Sequence, residues 1–305
     1  MLDDLATFST VVRCGSMSRA AAELHLSQPA VSQRLRALEE AYGMQLLRRT
    51  NRGVEVTSAG EVLNRYAHRL LALQETLQKE MDSLRSAEPR QVVIGATSTV
   101  GGYALPCTVY LFQQVHPNAR IQLQIGNRAE ILERLDDGVV DLALIEGTPL
   151  QPVEQPEGWQ ASVVSEEDLV LITPVTGPLS ELPVYNLETL RRAPLIVRER
   201  GSGTREVVEK SFEEHGLRWS DLNVAMELSS MDAVKTSVAS GHGVALISQW
   251  CIKVEARIGT IRVVPLEGVR FHSFWTLLCP ATRRRTGLTR ALIRTLRSPA
   301  DRGFC

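Results

Sequence analysis

A predicted helix near the N-terminus carries polar side chains of the types that bind DNA. Apolar residues recur along it with the spacing of one helical face, at Val31, Leu35 and Leu38, and this face is expected to pack on a core. Glutamine, serine and arginine side chains lie mostly on the opposite side, and these types hydrogen-bond to base edges and phosphates. The polar set consists of Gln28, Ser32, Gln33, Arg34 and Arg36. Any three-helix bundle can show surface arginines. Whether this helix binds DNA therefore has to be judged from the order of the neighbouring elements.

Two further groups of polar residues follow predicted strands and precede predicted helices. Thr97, Ser98 and Thr99 follow one strand, and Glu146 and Thr148 follow another. Hydroxyl groups beside the free N–H groups of a helix start form a natural anion or carboxylate site. A third segment offers glycines for close backbone approach, hydroxyls, and arginines that can grip an oxyanion: Arg198, Gly201, Ser202, Gly203, Thr204 and Arg205. A capped helix with a solvated arginine is the simpler alternative for each segment, but convergence on one cleft favours a binding site.

The patterns of catalytic, metal and cofactor sites do not occur in this sequence. The six histidines lack the HExxH pattern and metal-ligand spacing. There is no GxSxG, and the glycine segment at Gly201 lacks the GK[ST] ending of a phosphate-binding P-loop. We therefore expect no enzyme activity, no metal and no cofactor.

Cysteine usage and hydropathy indicate a cytoplasmic protein with no membrane partner. The five cysteines are scattered and form no CxxC pair, which argues against a disulfide framework or a zinc site. No apolar run approaches the ~20 residues that span a bilayer, and the N-terminal residues do not resemble a signal peptide. The formal net charge of the chain is -1, but residues 13–69 hold nine arginines against five glutamates. A basic segment on a neutral chain is typical of a DNA-binding module joined to a domain with another task.

The elements around the polar helix have the order of a winged helix-turn-helix. We predict a helix over Leu2–Cys14, a short helix over Arg19–His25 capped by Ser18, and a third helix capped by Ser27. A small hairpin with a basic tip follows and would suit a wing on the phosphate backbone. Its arginines are Arg48, Arg49 and Arg52.

At this point the sequence resembles the LysR-type transcriptional regulators. The resemblance rests on Phe8, the stretch SMSRAAAELHLSQPAVSQRLRALE over residues 16–39, Gly43, the LLRR segment, Thr57 and Gly60. It implies that the residues at the major groove are Ser27, Gln28, Pro29, Ser32, Gln33 and Arg34. It also implies that the wing arginines lie near phosphate or the minor groove, and that double-stranded DNA with a near-palindromic operator is the partner, with RNA polymerase recruited at the promoter.

A long amphipathic helix is predicted after the wing. Ser58 and Glu61 fit a capping box, and apolar residues then recur in steps of three or four until about Arg85. The stripe consists of Leu63, Tyr66, Leu70, Leu73, Leu77, Met81 and Leu84. Packing on the chain's own domain is the alternative, but a reader of one half-site usually dimerises. The resemblance implies that this helix forms the dimer and that tetramers are common.

The remainder of the chain alternates strands and helices. The order βαβαβ over residues 92–145 predicts a parallel sheet with ligand sites at the carboxyl ends of its strands, and a second α/β run begins near Asp168. Two such lobes suggest a hinged clamp. We expect a mainly α N-terminal winged helix-turn-helix at 1–57, a linker helix at 58–88 and an α/β effector domain at 89–305. The resemblance implies a two-lobed, periplasmic-binding-protein-like fold for it, with lobe I at about 90–164 and 272–305 and lobe II at about 165–271.

The mode of sensing stays open between two mechanisms. The stretch from Arg198 to Arg205 resembles the family branches that regulate sulfur assimilation and carbon fixation, which implies a small anionic effector that modulates operator binding and promoter activation. Thiol redox sensing through Cys107 is the alternative, although most lone cysteines belong to a core. An arginine-rich tail could touch DNA, but a solvated helix face or an oligomer contact explains it more simply. Its members are Arg283, Arg284, Arg285, Arg290, Arg294, Arg297 and Arg302.

Overall fold

The computed structural model describes residues 1–50, 53–85, 91–155, 158–281, 287–298 and 303–304. At positions 49, 50, 72, 75, 76, 79, 80 and 82–85 only the backbone is described. The chain divides into two compact units, Met1–Glu88 and Pro89–Cys305.

The first unit is a small helical domain with a two-stranded wing. Its elements are α1 (Leu2–Cys14), α2 (Met17–Glu23), α3 (Gln28–Tyr42), β1 (Leu47–Thr50), β2 (Gly53–Val56) and α4 (Ser58–Arg85). The fully buried Leu5, Phe8 and Val31 lie in its core, so the apolar face predicted for α3 is confirmed. The prediction for α2 was wrong at its start, because Ser16 and not Ser18 is the cap and accepts a hydrogen bond from the Arg19 N–H at 3.4 Å.

The start of α4 also differs from the predicted capping box. The Thr57 hydroxyl accepts a hydrogen bond from the Gly60 N–H at 3.1 Å, so Thr57 caps the helix. The same hydroxyl donates to the Gln45 carbonyl at 2.7 Å and ties the helix start to the segment before the wing. A Cβ atom at Gly60 would lie 2.1 Å from the Leu46 carbonyl oxygen, so only glycine permits this close packing.

The second unit contains the remaining helices and strands. Its helices are α5 (Leu105–Val115), α6 (Arg128–Asp136), α7 (Leu187–Arg192), α8 (Gly203–Glu214), α9 (Met231–Ala239), α10 (Lys253–Ile258) and α11 (Gly287–Arg297). Its strands are β3 (Gln91–Thr97), β4 (Arg120–Gly126), β5 (Leu142–Gly147), β6 (Trp159–Asp168), β7 (Val170–Pro174), β8 (Tyr185–Asn186), β9 (Leu195–Arg198), β10 (Val224–Leu228), β11 (Ala245–Ile247), β12 (Ile261–Val264), β13 (Leu266–Glu267) and β14 (His272–Pro280). A π-helical turn over Val100–Ala104 precedes α5.

Lobe I is built on a five-stranded sheet in the order β4-β3-β5-β14-β6. The strands β3, β4 and β5 are parallel, which confirms the predicted βαβαβ unit, while β14 runs antiparallel to β5 and to β6. The sequence analysis missed β6, which continues to Asp168, beyond the expected end of the lobe segment at about 164. Buried apolar side chains of β3, β5 and β14 pack with α5 and α11 in one core.

Within the described residues, lobe II contains three smaller sheets, one of which pairs β8 with β13 in parallel. The strands β9 and β10 are parallel, whereas β7 is antiparallel to both β11 and β12. The fully buried Leu190 and Phe271 belong to the core of this lobe, and Tyr185 on β8 is 1% exposed. The chain passes between the lobes where β6 is followed by β7 and where β14 begins. Two crossings side by side are the geometry of a hinge.

Candidate functional site

The helix α3 presents a polar face at the surface of the first unit. The Ser27 hydroxyl caps it by accepting a hydrogen bond from the Ala30 N–H at 3.3 Å, and Pro29 occupies its first turn. Ser27, Gln28, Pro29 and Gln33 are exposed, and Ser32 is half-buried. This face therefore offers exposed hydroxyl and amide groups, which are types that can hydrogen-bond to base edges.

Arg34 has a second role that the sequence did not reveal. Its Nη1 atom donates to the Thr7 hydroxyl at 3.1 Å and to the Asp3 carbonyl at 3.3 Å, both on α1. The side chain therefore holds α3 against α1 as well as lying beside the polar face.

Hydrogen bonds connect the wing, formed by β1 and β2, to α3 and to the end of α1. The Glu39 carboxylate on α3 accepts a hydrogen bond from the Leu46 N–H at 2.9 Å, just before β1. On the other side, the Val54 N–H donates to the Gly15 carbonyl at 3.1 Å. Arg48 is exposed on β1. The Arg49 side chain and Arg52 lie outside the described residues, so their expected place in the wing remains a prediction.

The stripe predicted for self-association is largely exposed on α4. Tyr66, Leu70 and Met81 are exposed, and Leu73 and Leu77 are 54% and 57% exposed. At the start of the helix the prediction was wrong, because Leu63 is buried in the core of its own domain. Leu84 also belonged to the predicted stripe, and its side chain lies outside the described part.

The second unit brings candidate residues of both lobes together around one buried carboxyl group. Glu146 ends β5 and is 4% exposed. Its Oε1 atom accepts hydrogen bonds from Thr99 Oγ1 at 2.8 Å and from Thr204 Oγ1 at 3.1 Å. Its backbone N–H donates to Thr97 Oγ1 at 3.2 Å. Burial raises the pKa of Glu146 to about 7, and the bond from Thr99 opposes this rise.

A backbone contact between two glycines brings the lobes together beside Glu146. A Cβ atom at Gly203, the first residue of α8, would lie 2.0 Å from the Glu146 carbonyl oxygen and 3.1 Å from the Gly147 Cα atom. The lobes can approach this closely only because neither glycine carries a side chain. Gly203 was predicted as part of an anion-binding loop; here it packs against Glu146 and Gly147 of lobe I, and its place in the effector site remains a prediction.

The sequence analysis missed Arg128, which bridges the lobes on the other side of this contact. Arg128 begins α6 and is 4% exposed. Its Nη1 atom donates to the Thr148 carbonyl at 2.8 Å and lies 3.1 Å from Glu206 Oε2 on α8. The Thr148 hydroxyl donates to the same Glu206 carboxylate, and the Ala129 N–H donates to the Gly201 carbonyl at 3.2 Å. Gly201 and Thr148 were predicted as effector-site residues, whereas Arg128 and Glu206 were not.

The two arginines predicted for an oxyanion are already paired. Arg198 binds Glu199 through Nε at 2.9 Å and Nη2 at 3.1 Å, and its Nη1 atom is buried without a hydrogen-bond partner among the described residues. Arg205 donates to Glu209 at 2.7 Å and to Glu227 at 2.6 Å. Nη1 of Arg198 therefore keeps N–H groups without a partner among the described residues, whereas Arg205 is held by two carboxylates.

The candidate hydroxyls of Ser98 and Ser202 belong to residues that are next in sequence to Thr99 and Gly203. Ser98 is half-buried after β3, and Ser202 precedes α8 without capping it through its side chain. Ser202 and Gly201 line an open groove of about 600 Å³ between α6 and α8, together with Arg128 and Arg200. Ser98 is therefore partly accessible, whereas Ser202 is 4% exposed.

A second buried glutamate, also missed, lies at the hinge. Glu167 near the end of β6 accepts hydrogen bonds from the Ser248 hydroxyl of lobe II at 2.7 Å and from the Trp275 indole of lobe I at 2.9 Å. Burial raises the pKa of this carboxyl as well. The redox candidate Cys107 lies on α5 and forms a disulfide, contrary to the expectation that the cysteine pattern argues against disulfides. Cys107 takes part in none of the contacts between lobes given above.

Metal and membrane sites were sought in the described part of the chain. No group of three or more histidine, cysteine, aspartate or glutamate residues there is arranged to hold a metal ion. No helix within the described ranges combines the length and the apolar character that a membrane span needs.

Comparison with known proteins gives matches along nearly the whole chain. Residues 2–61 match the model of the bacterial regulatory helix-turn-helix protein of the lysR family, and residues 85–300 match the LysR substrate binding domain. A probable RuBisCO transcriptional regulator of Porphyra purpurea is 33% identical over 288 residues, which are 94% of this chain and 90% of that protein. The HTH-type transcriptional activator CmpR of Synechocystis sp. is 34% identical over 279 residues, 91% of this chain and 88% of that protein. The regulatory domain of Synechocystis CcmR, solved in complex with 2-PG, superposes with a TM-score of 0.60 at 22% identity over 68% of this chain and 95% of that domain.

Proposed function

Because the chain belongs to the LysR family of bacterial transcriptional regulators, we propose that it reads a near-palindromic operator as a homodimer or homotetramer under the control of a small anionic effector. The effector binds between the two lobes, alters the spacing of paired DNA-binding units, and thereby changes DNA bending and recruitment of RNA polymerase. We expect this to take place in the cytoplasm. An effector shifts such an equilibrium only by its different affinity for the two states.

The exposed polar face of α3 supports the DNA-reading part of the proposal. Ser27, Gln28 and Gln33 are exposed on it, while the opposite face is buried. We assign base contacts to these residues and to Pro29, Ser32 and Arg34, and phosphate or minor-groove contacts to Arg48, Arg49 and Arg52. One such helix covers a half-site, and a dimer built on the exposed stripe of α4 would present two.

A comparison of specific and random DNA tests this assignment. Gln28→Ala should weaken binding to the operator by about 1–3 kcal/mol and leave binding to random DNA nearly unchanged, because it removes a base contact and no charge. Anisotropy titrations with both DNAs measure the two affinities. Lys210→Ala, at an exposed position of the effector domain, is the matched control and should change neither. Equal losses on the two DNAs would refute the base contact.

The effector part of the proposal is carried by the meeting of the lobes at Glu146, Thr99 and Thr204. A ligand at this junction touches both lobes and can therefore favour one arrangement of them. Ser98 and Ser202 add hydroxyls, and the start of α8 adds N–H groups that attract anions. We include the remaining candidates of these segments in the site: Thr97, Thr148, Arg198, Gly201, Gly203 and Arg205.

A phosphorylated metabolite fits this site better than a thiol switch does. Relatives at 33% and 34% identity are named a RuBisCO transcriptional regulator and CmpR, and the fold neighbour CcmR was solved with 2-PG. We therefore do not favour redox sensing through Cys107. A thermal-shift screen with 2-PG, other phosphorylated acids and sulfate tests the proposal, because ligands of the folded state raise the Tm. The double variant Ser98→Ala, Thr204→Val should lose the shift and keep its affinity for DNA, and an unchanged shift would place the ligand elsewhere.

A further inference from the structure

The carboxyl group of Glu146, at the junction of the lobes, has one oxygen atom without a hydrogen-bond partner among the described residues. Oε1 of Glu146 takes both hydroxyl bonds, from Thr99 of lobe I and Thr204 of lobe II. Oε2 is buried and has no hydrogen-bond partner among the described residues. A buried ionised oxygen without a partner carries a large desolvation cost, whereas a protonated one carries far less.

Two charged groups act on this carboxyl in opposite directions. Arg198 on β9 attracts the negative charge of Glu146, but it is shared with Glu199. Glu167 on β6 repels it. From α6, Arg128 is engaged by Glu206. The other groups that face it are uncharged: the hydroxyls of Thr97, Thr99 and Thr204, and the thiol of Cys251, whose pKa burial raises.

An anion that enters beside this carboxyl meets a second negative charge. Like charges in a site of low polarity raise the cost of keeping both ionised, so one of them gains a proton. Protonation of Oε2 removes the repulsion and leaves Oε1 free to accept the same two hydroxyl bonds. It also turns Oε2 into a hydrogen-bond donor, which a carboxylate cannot be.

We propose that Glu146 couples anion binding to proton uptake: when an anion binds between the lobes, Oε2 takes one proton from solvent, and the neutral acid keeps its bonds to Thr99 and Thr204. This coupling rests on the proposed anion site. It makes the effector response depend on pH through a residue that also joins the lobes. The unliganded protein and the anion-bound protein then differ by a proton as well as by a ligand.

The size of the effect follows from proton linkage. With a pKa of about 7 before binding, Glu146 is mostly ionised above neutral pH and mostly neutral below it. If a bound anion raises that pKa by about one pH unit, affinity for the anion increases about fivefold between about pH 8 and about pH 6. At about pH 7.5 the same change corresponds to an uptake of about half a proton per anion bound.

Calorimetry on the full-length chain measures this uptake directly. Titrations in buffers of different ionisation enthalpy report the protons taken up per ligand. Sulfate is the first probe, because its own charge stays constant between about pH 6 and about pH 8. With 2-PG as the second probe, the ligand's own titration cancels when variants are compared. Wild type should take up about half a proton per sulfate at about pH 7.5.

Two variants assign the proton to one residue. Glu146→Gln keeps the shape of the side chain, an oxygen that accepts both hydroxyl bonds, and a donor in place of Oε2. It should bind the anion with an affinity that does not change with pH and take up no proton beyond that of 2-PG itself. Glu167→Gln replaces the other buried glutamate and should retain the uptake. Matching circular dichroism spectra identify the variants that keep the fold.

The outcomes separate the two proposals. Anion binding by wild type without proton uptake overturns the coupling and leaves the anion site intact. Proton uptake that persists in Glu146→Gln assigns the proton to another group and overturns the coupling. The coupling is also overturned if uptake is lost in Glu167→Gln but kept in Glu146→Gln. If neither sulfate nor 2-PG binds to wild type at any pH, the proposed anion site itself fails and the coupling fails with it.

Discussion

Replacing Glu146 by glutamine should stabilise the effector domain, and more so at high pH than at low pH. Burial raises the pKa of Glu146 from an ordinary value of 4.5 to about 7. A group whose pKa is raised on folding favours the folded state at low pH, and this advantage is lost as pH rises through the folded value. Relative to a side chain that does not titrate, the free-energy cost of Glu146 grows from about 1 kcal/mol at about pH 5 to about 3 kcal/mol at about pH 8.

Urea unfolding followed by tryptophan fluorescence measures this difference. All four tryptophans, Trp159, Trp219, Trp250 and Trp275, lie in the second unit, so their emission reports on the effector domain. The gain in free energy of unfolding from Glu146→Gln should increase by about 2 kcal/mol from about pH 5 to about pH 8. Glu213→Gln, at an exposed position on α8, controls for the loss of one charge. A gain that is the same at both pH values would refute the reasoning.

Three further changes test the geometry. Gly203→Ala should lower the Tm and abolish the anion response, because its Cβ would lie 2.0 Å from the Glu146 carbonyl oxygen; a normal response would show that the lobes need not approach. Leu73→Glu should dissociate the oligomer in analytical ultracentrifugation, since burying one leucine contributes about 1.5–3 kcal/mol, and a mass identical to wild type would move the interface elsewhere. Thr57→Ala should cost about 1 kcal/mol of the first unit's unfolding free energy through loss of the α4 cap, and no loss would contradict the capping role.

Elements with strong periodicity and clear caps could be predicted closely from the sequence. The bounds of α1 and α4 agree with those expected, because each has a continuous apolar pattern. The start of α2 was harder, since Ser16 and Ser18 are both good caps and only packing distinguishes them. The strand β6 was missed because half-buried and exposed residues in it do not alternate regularly.

The candidate site was predicted in part: Glu146 was among the expected residues, but the buried Arg128 and Glu167 were not. Thr99, Glu146 and Thr204 were found because they follow strands whose ends converge. Arg128 was missed because a charged residue at the start of a helix is normally exposed to solvent. The burial of Arg128 depends on α8 of the other lobe. Glu167 was missed because Ser248 and Trp275, which bind it, are distant in sequence. Such partners become visible only when the fold brings them together.

The central claim is that an anion between the lobes changes how the regulator holds DNA. Fluorescence energy transfer between dyes at the two ends of an operator, selected from random DNA by the full-length chain, measures the bend directly. Saturating 2-PG should change the transfer efficiency with wild type and leave it unchanged with the Ser98→Ala, Thr204→Val double variant. An identical bend with and without bound anion in the wild-type complex would contradict the account.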